Sequence, residues 1–457
     1  MRSFAIFVCL AAAAGTYAQE TELGAEARQE REALAKDCTS FKSLGSCAYT
    51  LFTDHPLHIA AGSIAPQNGI GLGMAFVAHY TPNRDWRLSW DVDAVASTNA
   101  SWRAGAYMTA ILDRHRPLKA APGAGTVNIM QGEHPVFHVL AQSISLNALE
   151  FFGLGPGASE AGRSYFGMRE SIAGFNGVLP LGSRLNASLF GEANGRFVSI
   201  RPGPGGTLPS IQQLYAPTAA PGLLSQPGFA QFGEGLRIRP QFAGGFVRLN
   251  YSVVFQEYVA SDSTYSFQRF TTDLSHQFPI HRQTRSLVPS DVNGPDDCSV
   301  SSTSRKHPCP TVSRNLEGSF GLRFLLNESF TAAGHFVPFY FQPTLGGSDI
   351  NGNPTLPSYQ DYRFRAPNSL LVRASFEHSI YGPVGFTVMV DEGKVALQHS
   401  DLDFTHLLHS YSVGLTLRAG GFPQAYLLFS FGGHEGNHTT GALNTSLLGG
   451  GARPSLY

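Results

Sequence analysis

Between Arg184 and Phe197 the chain alternates strictly over about fourteen residues. Leu185, Ala187, Leu189, Gly191, Ala193, Gly195 and Phe197 share one face; Arg184, Asn186, Ser188, Glu192, Asn194 and Arg196 share the other, and Phe190 is the exception. A period of two belongs to a β-strand, whose successive side chains point to opposite faces. The length exceeds the usual globular strand of about 5 to 6 residues and suits a tilted membrane strand, which needs about 9 to 11.

The pattern recurs. Trp86, Leu88, Trp90, Val92 and Ala94 oppose Arg87, Ser89, Asp91 and Asp93, and Val247, Leu249, Tyr251, Val253 and Phe255 oppose Arg248, Asn250, Ser252 and Gln256. Leu316, Phe320, Leu322, Phe324 and Leu326 oppose Glu317, Ser319, Arg323 and Asn327; Leu370, Val372, Ala374 and Phe376 oppose Arg373, Ser375 and Glu377; Tyr411, Val413, Leu415 and Leu417 oppose Ser412, Thr416 and Arg418. Charges keep to one face throughout. Beyond the N-terminal region no apolar run reaches the roughly 18 residues of a helical span, so a membrane location requires a closed β-barrel. Aromatic residues cluster near strand ends (Trp86 and Trp90, Phe151 and Phe152, Phe339 to Phe341), as in interfacial girdles. The expected fold is all-β: an antiparallel transmembrane barrel of about sixteen strands, with long loops at Pro117–Gly132, Pro202–Pro227, Thr284–Pro310 and Gly346–Pro357.

Charged residues make up 14% of the chain and the formal net charge is −1, with no basic cluster, which excludes nucleic acid as a partner. With 42% hydrophobic residues and almost no net charge, the chain is not of the disordered class. Arg2, the apolar run Phe4–Ala14 and Thr16-Tyr17-Ala18 read as a signal peptide over residues 1–18. Export suits the four cysteines that remain, which sit as two local pairs, Cys38 with Cys47 and Cys298 with Cys309, and are read as loop-stapling disulfides. Residues 19–56, with a polar helix over Glu22–Lys36, form a periplasmic segment, residues 57–437 the barrel, and residues 438–457 a tail after a last strand containing Leu427, Phe429 and Phe431.

Motifs for chemistry are absent or weak. Gly69–Met74 superficially suggests a phosphate loop but reads as a glycine-smoothed strand. No metal-ligand spacing or nucleophile elbow occurs, so no cofactor or metal and no catalysis are expected. A barrel-embedded hydrolase would draw on His406, His409 and Ser410, whose spacing specifies no triad.

Two stretches carry a family resemblance. Phe151-Phe152-Gly153-Leu154-Gly155-Pro156, followed by Arg163-Ser164-Tyr165-Phe166, resembles a turn early in barrels of the bacterial surface antigen superfamily, the BamA/TamA type. Leu345-Gly346-Gly347, Leu356 to Arg365, Ala374-Ser375-Phe376-Glu377 and Val390-Asp391-Glu392-Gly393 resemble that superfamily's C-terminal signature. The resemblance covers roughly Pro135 to His434. It implies an outer-membrane barrel that serves the assembly or transport of outer-membrane components, with envelope lipid and other envelope proteins as partners. The alternative is a passive diffusion porin. The roughly 40 to 50 residues before the first strand leave no room for a polypeptide-transport-associated domain of about 70 to 80, so a barrel-only member is expected.

In the family a long loop folds into the barrel and its Leu-Arg-Gly-Tyr tetrad pairs with acids on the wall. Here the tetrad reads Leu356-Pro357-Ser358-Tyr359, without the arginine or the glycine. The expected lumen contact comprises Tyr359, Asp361, Arg363, Arg365, Asp391 and Gly393, with Arg363 or Arg365 substituting for the missing arginine and Asp391 turned inward as its partner. The competing reading is an ordinary rim ion pair of little weight.

Overall fold

The computed structural model describes residues 57–83, 85–112, 134–181, 185–206, 208–288, 309–381, 384–419, 422–443 and 454–456. The expected signal peptide, the Glu22–Lys36 helix, the Pro117–Gly132 loop, Cys38, Cys47, Cys298 and the Cys309 side chain lie outside them.

Among the described residues sixteen strands of the main sheet follow one another: β1 Leu57–Ser63, β2 Ile70–Tyr80, β3 Trp86–Ala96, β4 Trp102–Leu112, β5 Val136–Phe151, β6 Ser164–Pro180, β7 Ala187–Pro202, β8 Phe229–Ile238, β9 Val247–Ala260, β10 Phe267–Val288, β11 Cys309–Phe330, β12 Asn368–Tyr381, β13 Val384–Ala396, β14 Leu408–Ala419, β15 Phe422–Gly433 and β16 Gly436–Leu443. Gln241–Phe242 continues β8 along the same partner, β9. Each strand pairs antiparallel with the next, from β1–β2 through β15–β16. β1 and β16 come alongside each other and bring the two ends of the sheet together. The barrel reaches Leu443, beyond the expected boundary at 437, because Gly436–Leu443 pairs with β15 although its sequence carries no clear alternation.

Alternation by itself leaves open which face meets solvent; side-chain exposure decides it. Ile70, Leu72, Trp90, Val92, Phe175, Leu189, Phe197, Leu322, Val413 and Leu415 lie exposed on the outside, whereas Asp91, Asp93, Arg103, Glu170, Arg196, Arg269 and Asp391 are buried inside. A soluble barrel has the opposite arrangement. An exposed apolar belt around a polar interior is what hydrocarbon solvent selects. Ion pairs satisfy the inner charges across neighbouring strands: Arg103 with Asp93 at 3.1 Å, Arg196 with Glu170 at 2.8 Å and Arg323 with Asp273 at 2.8 Å.

Long loops converge at one mouth of the barrel: residues 152–163, 203–228 with its short helix Ile211–Leu214, and 331–367. There the interior is apolar. Phe339, Tyr340 and Phe341 of the longest loop pack among Phe151, Phe166, Phe229, Tyr258 and Phe267 from the wall. Phe151, Phe152 and Phe339–Phe341 are therefore buried inside and form no outer girdle, because the loop that carries three of them turns into the lumen.

At the other end β10 and β11 run 22 residues each. β9 follows β10 only as far as Gln277, and β12 follows β11 only from Gly318. Residues 278–288 and 309–317 thus continue as a two-stranded ribbon beyond the barrel, where a loop spanning Thr284–Pro310 was expected.

Candidate functional site

The loop at residues 331–367 is shaped by its own backbone before it touches the wall. Thr344–Leu345 pairs with Phe364–Arg365 and narrows its neck. Gly346 and Gly347 then turn the chain with φ of +107° and +57°. A side chain at either would also collide, with Arg363 Cβ at 2.5 Å or Asp361 Oδ1 at 2.3 Å. This accounts for the Leu-Gly-Gly motif: it allows the two arms of the loop to lie against each other.

Of the expected contact residues, Tyr359 is buried, packs edge-on against Phe364 with centroids 5.1 Å apart, and lies over Gly433 of β15. Gly393 of β13 makes comparable room for the loop: a Cβ there would stand 3.0 Å from Leu345 Cδ1. Arg363 pairs with Glu435 in the β15–β16 turn, donates to the Ala158 carbonyl at 2.8 Å and stacks over Phe152 and Phe364. It joins three loops at the mouth. Arg365 donates to the Phe339 carbonyl at 2.8 Å and so braces the aromatic turn of its own loop.

Asp391 is fully buried and faces the lumen, but its partner is neither Arg363 nor Arg365. Arg373, across the β12–β13 ladder, holds it in a two-pronged bridge, Nε to Oδ1 at 2.6 Å and Nη2 to Oδ2 at 2.8 Å. The same Nη2 donates to the loop carbonyl of Pro354 at 2.6 Å. The pin between loop and wall therefore runs from a wall arginine to a loop carbonyl, and the loop needs no arginine in its tetrad. A second pin is the Ser358 amide donating to Ser410 Oγ at 2.9 Å. Ser410 is thus committed to the loop, with His409 on the opposite face of β14 and His406 exposed in the preceding loop, so the three hydrolase candidates do not converge. Among the described residues no group of three or more His, Cys, Asp or Glu could hold a metal ion.

Asp361 accepts from the Ser348 amide at 2.8 Å and lines an interior cavity of about 900 Å³. Burial raises its carboxyl to about 6, against the opposing pull of hydrogen bonds from Ser348 and Gln67. Because the seated loop favours the neutral acid, its contribution to seating is full below about pH 4 and is lost as pH rises through 6. Loop seating, read as protection of the 348–361 amides from hydrogen exchange after correction for intrinsic rate, is expected to weaken between pH 4.5 and 7. Asp361→Asn should flatten that trend; an unchanged slope in the variant would assign it to another group.

Sequence reasoning passed over a second interior cluster. Arg196 of β7 is held by Glu170 of β6 and Gln231 of β8, while Glu192 accepts from Gln231 at 2.9 Å and Gln256 at 2.7 Å. Arg269 of β10 donates to the Phe341 carbonyl and so reaches the loop from the far wall. Glu192 and Arg196 lie on the polar face of the alternating stretch Arg184–Phe197, and Gln256 on that of Val247–Gln256, which was the available signal.

No protein-family model and no curated protein matches the chain. Among solved structures it is similar to CdiB from Acinetobacter baumannii, at 12% identity over 84% of this chain and 58% of that one, with a TM-score of 0.45. CdiB from Escherichia coli gives 13% identity, 85% and 62% coverage, and a TM-score of 0.46. BamA from Haemophilus ducreyi lacking POTRA domains 1-3 gives 10%, 84% and 69%, and 0.45. The chain thus spans less than two thirds of the length of either CdiB.

Proposed function

We propose that the chain is a non-catalytic barrel of the bacterial outer membrane, of the surface antigen type, that serves conditional passage or assembly of envelope components. The observation that carries this reading is a lumen filled at one mouth by a loop that the wall itself pins, within a barrel whose outside is apolar. A passive porin needs only a polar lumen; here aromatic side chains, buried ion pairs and a loop carbonyl are all committed to occupying it. Outer-membrane lipid is the solvent of the belt, and other envelope proteins are the partners that a conditional gate requires.

Planar-bilayer conductance of the refolded chain tests the reading. Small, flickering currents that enlarge in Arg363→Ala are expected, since that arginine ties three loops together at the mouth. A large steady conductance, equal in the variant, would make the protein a diffusion porin.

A further inference from the structure

Residues 454–456 lie inside the barrel although ten residues separate them from the last strand. Ser455 and Leu456 contribute one peptide unit whose two polar atoms are read from opposite sides. Arg196 Nη2 on the wall donates to the Ser455 carbonyl at 2.8 Å, and the Leu456 amide donates to Asn351 Oδ1 of the long loop at 2.9 Å. Asn351 also donates to Ser455 Oγ at 3.3 Å. In a trans peptide the C=O and N–H point in opposite directions, so wall and loop together form a clamp for a peptide bond. The Leu456 side chain is buried and belongs to the apolar cluster that contains Ile64, Ile144 and Ile350, residues that line the same interior cavity.

This clamp is not a by-product of barrel closure. Arg196 has its other donors taken by Glu170 and Gln231, an arrangement that aims the remaining Nη2 into the lumen. Main-chain recognition accepts any polypeptide, and the neighbouring apolar pocket adds preference for an aliphatic side chain. The cavity beside it, about 900 Å³, has room for further residues of a chain lying along the lumen. If the occupant leaves, water can reach Nη2, so vacancy strands no buried donor.

We propose that Arg196 and Asn351 form a docking site in the lumen for a polypeptide segment bearing an aliphatic side chain, occupied at rest by Ser455-Leu456 and vacated when another such segment competes. The proposal deepens the conditional-passage reading and rests on it, because it names the ligand class as an unfolded stretch of protein.

The test uses the refolded chain, a version ending at Leu443, and full-length Leu456→Asp, which keeps the segment but charges its buried side chain. A fluorescent peptide Arg-Pro-Ser-Leu-Tyr, matching residues 453–457, is titrated in detergent solution and followed by anisotropy. Binding is expected to the shortened chain and to Leu456→Asp, about tenfold weaker to the intact chain, and about tenfold weaker again for a peptide with Asp in place of Leu. Asn351→Ala in the shortened chain should weaken binding similarly. Equal binding of the Leu and Asp peptides, or none to either vacated chain, would overturn the proposal. Anisotropy reads the site whether or not the barrel conducts, so a porin-like conductance would defeat the conditional-passage reading without obscuring the peptide result.

Discussion

Replacing Arg373 by alanine is expected to free the long loop and lower the stability of the barrel by about 3–5 kcal/mol, the usual consequence of leaving one member of a buried ion pair alone. Asp391 has no exposure to solvent, and Arg373 is 12% exposed. The alanine variant would therefore bury an uncompensated carboxylate and lose the contact to Pro354 in one step. Two readouts separate these losses. The temperature at which the folded band disappears in an unheated-versus-heated gel reports stability, and conductance reports the loop. Adding Asp391→Ala should recover much of the stability, because the stranded charge is gone, while leaving the conductance enlarged. A double variant that stays closed would show that the Pro354 contact does not hold the loop. Arg323→Ala supplies the comparison: its bridge to Asp273 has the same chemistry, but the side chains are 34% and 26% exposed, so about 1 kcal/mol or less is expected.

Leu322→Arg should be the more damaging of two adjacent substitutions. Leu322 points outward and lies midway along the part of β11 that is paired on both sides, Gly318–Asn327. A guanidinium there costs about 2–4 kcal/mol near the bilayer midplane. Insertion yield into vesicles measures it, with Arg323→Ala alongside. Equal, mild effects of the two would contradict the facing assigned to β11 and, with it, the membrane reading of the belt.

The barrel was legible because its cause is local. Alternation in Arg184–Phe197 or Trp86–Ala94 is written residue by residue, and the stretches Ser188–Phe197 and Trp90–Ala94 keep that facing in three dimensions. Gly393 and Tyr359 were named through the resemblance alone; Gly393 lies beside Leu345 of the loop and Tyr359 beside Gly433 of β15. The partner of Asp391 was not recognisable. Arg373 stood in plain view on the polar face of β12, but its pairing depends on the register of β12 against β13, which the alternation within either strand does not reveal. Glu170 and Arg196 illustrate the same limit from adjacent strands. The aromatic residues misled for another reason: Phe339–Phe341 sit near a strand end in sequence, and only the path of the loop takes them inward.

The ribbon formed by 278–288 and 309–317 has its own consequence. Closing a sheet into a barrel removes its open edges, and with them the danger of pairing indiscriminately with other strands. Continuing two strands beyond their neighbours restores both edges over about ten residues, or roughly 35 Å of backbone at about 3.3 Å per residue. The sequence there contains Pro279 and Pro310, which have no N–H to donate to an added strand, and Arg282, an exposed charge that resists close stacking. Such residues guard against polymerisation. A barrel that handled unfolded protein would meet strand-forming segments constantly, and these guards would keep its own projecting strands from seeding aggregates.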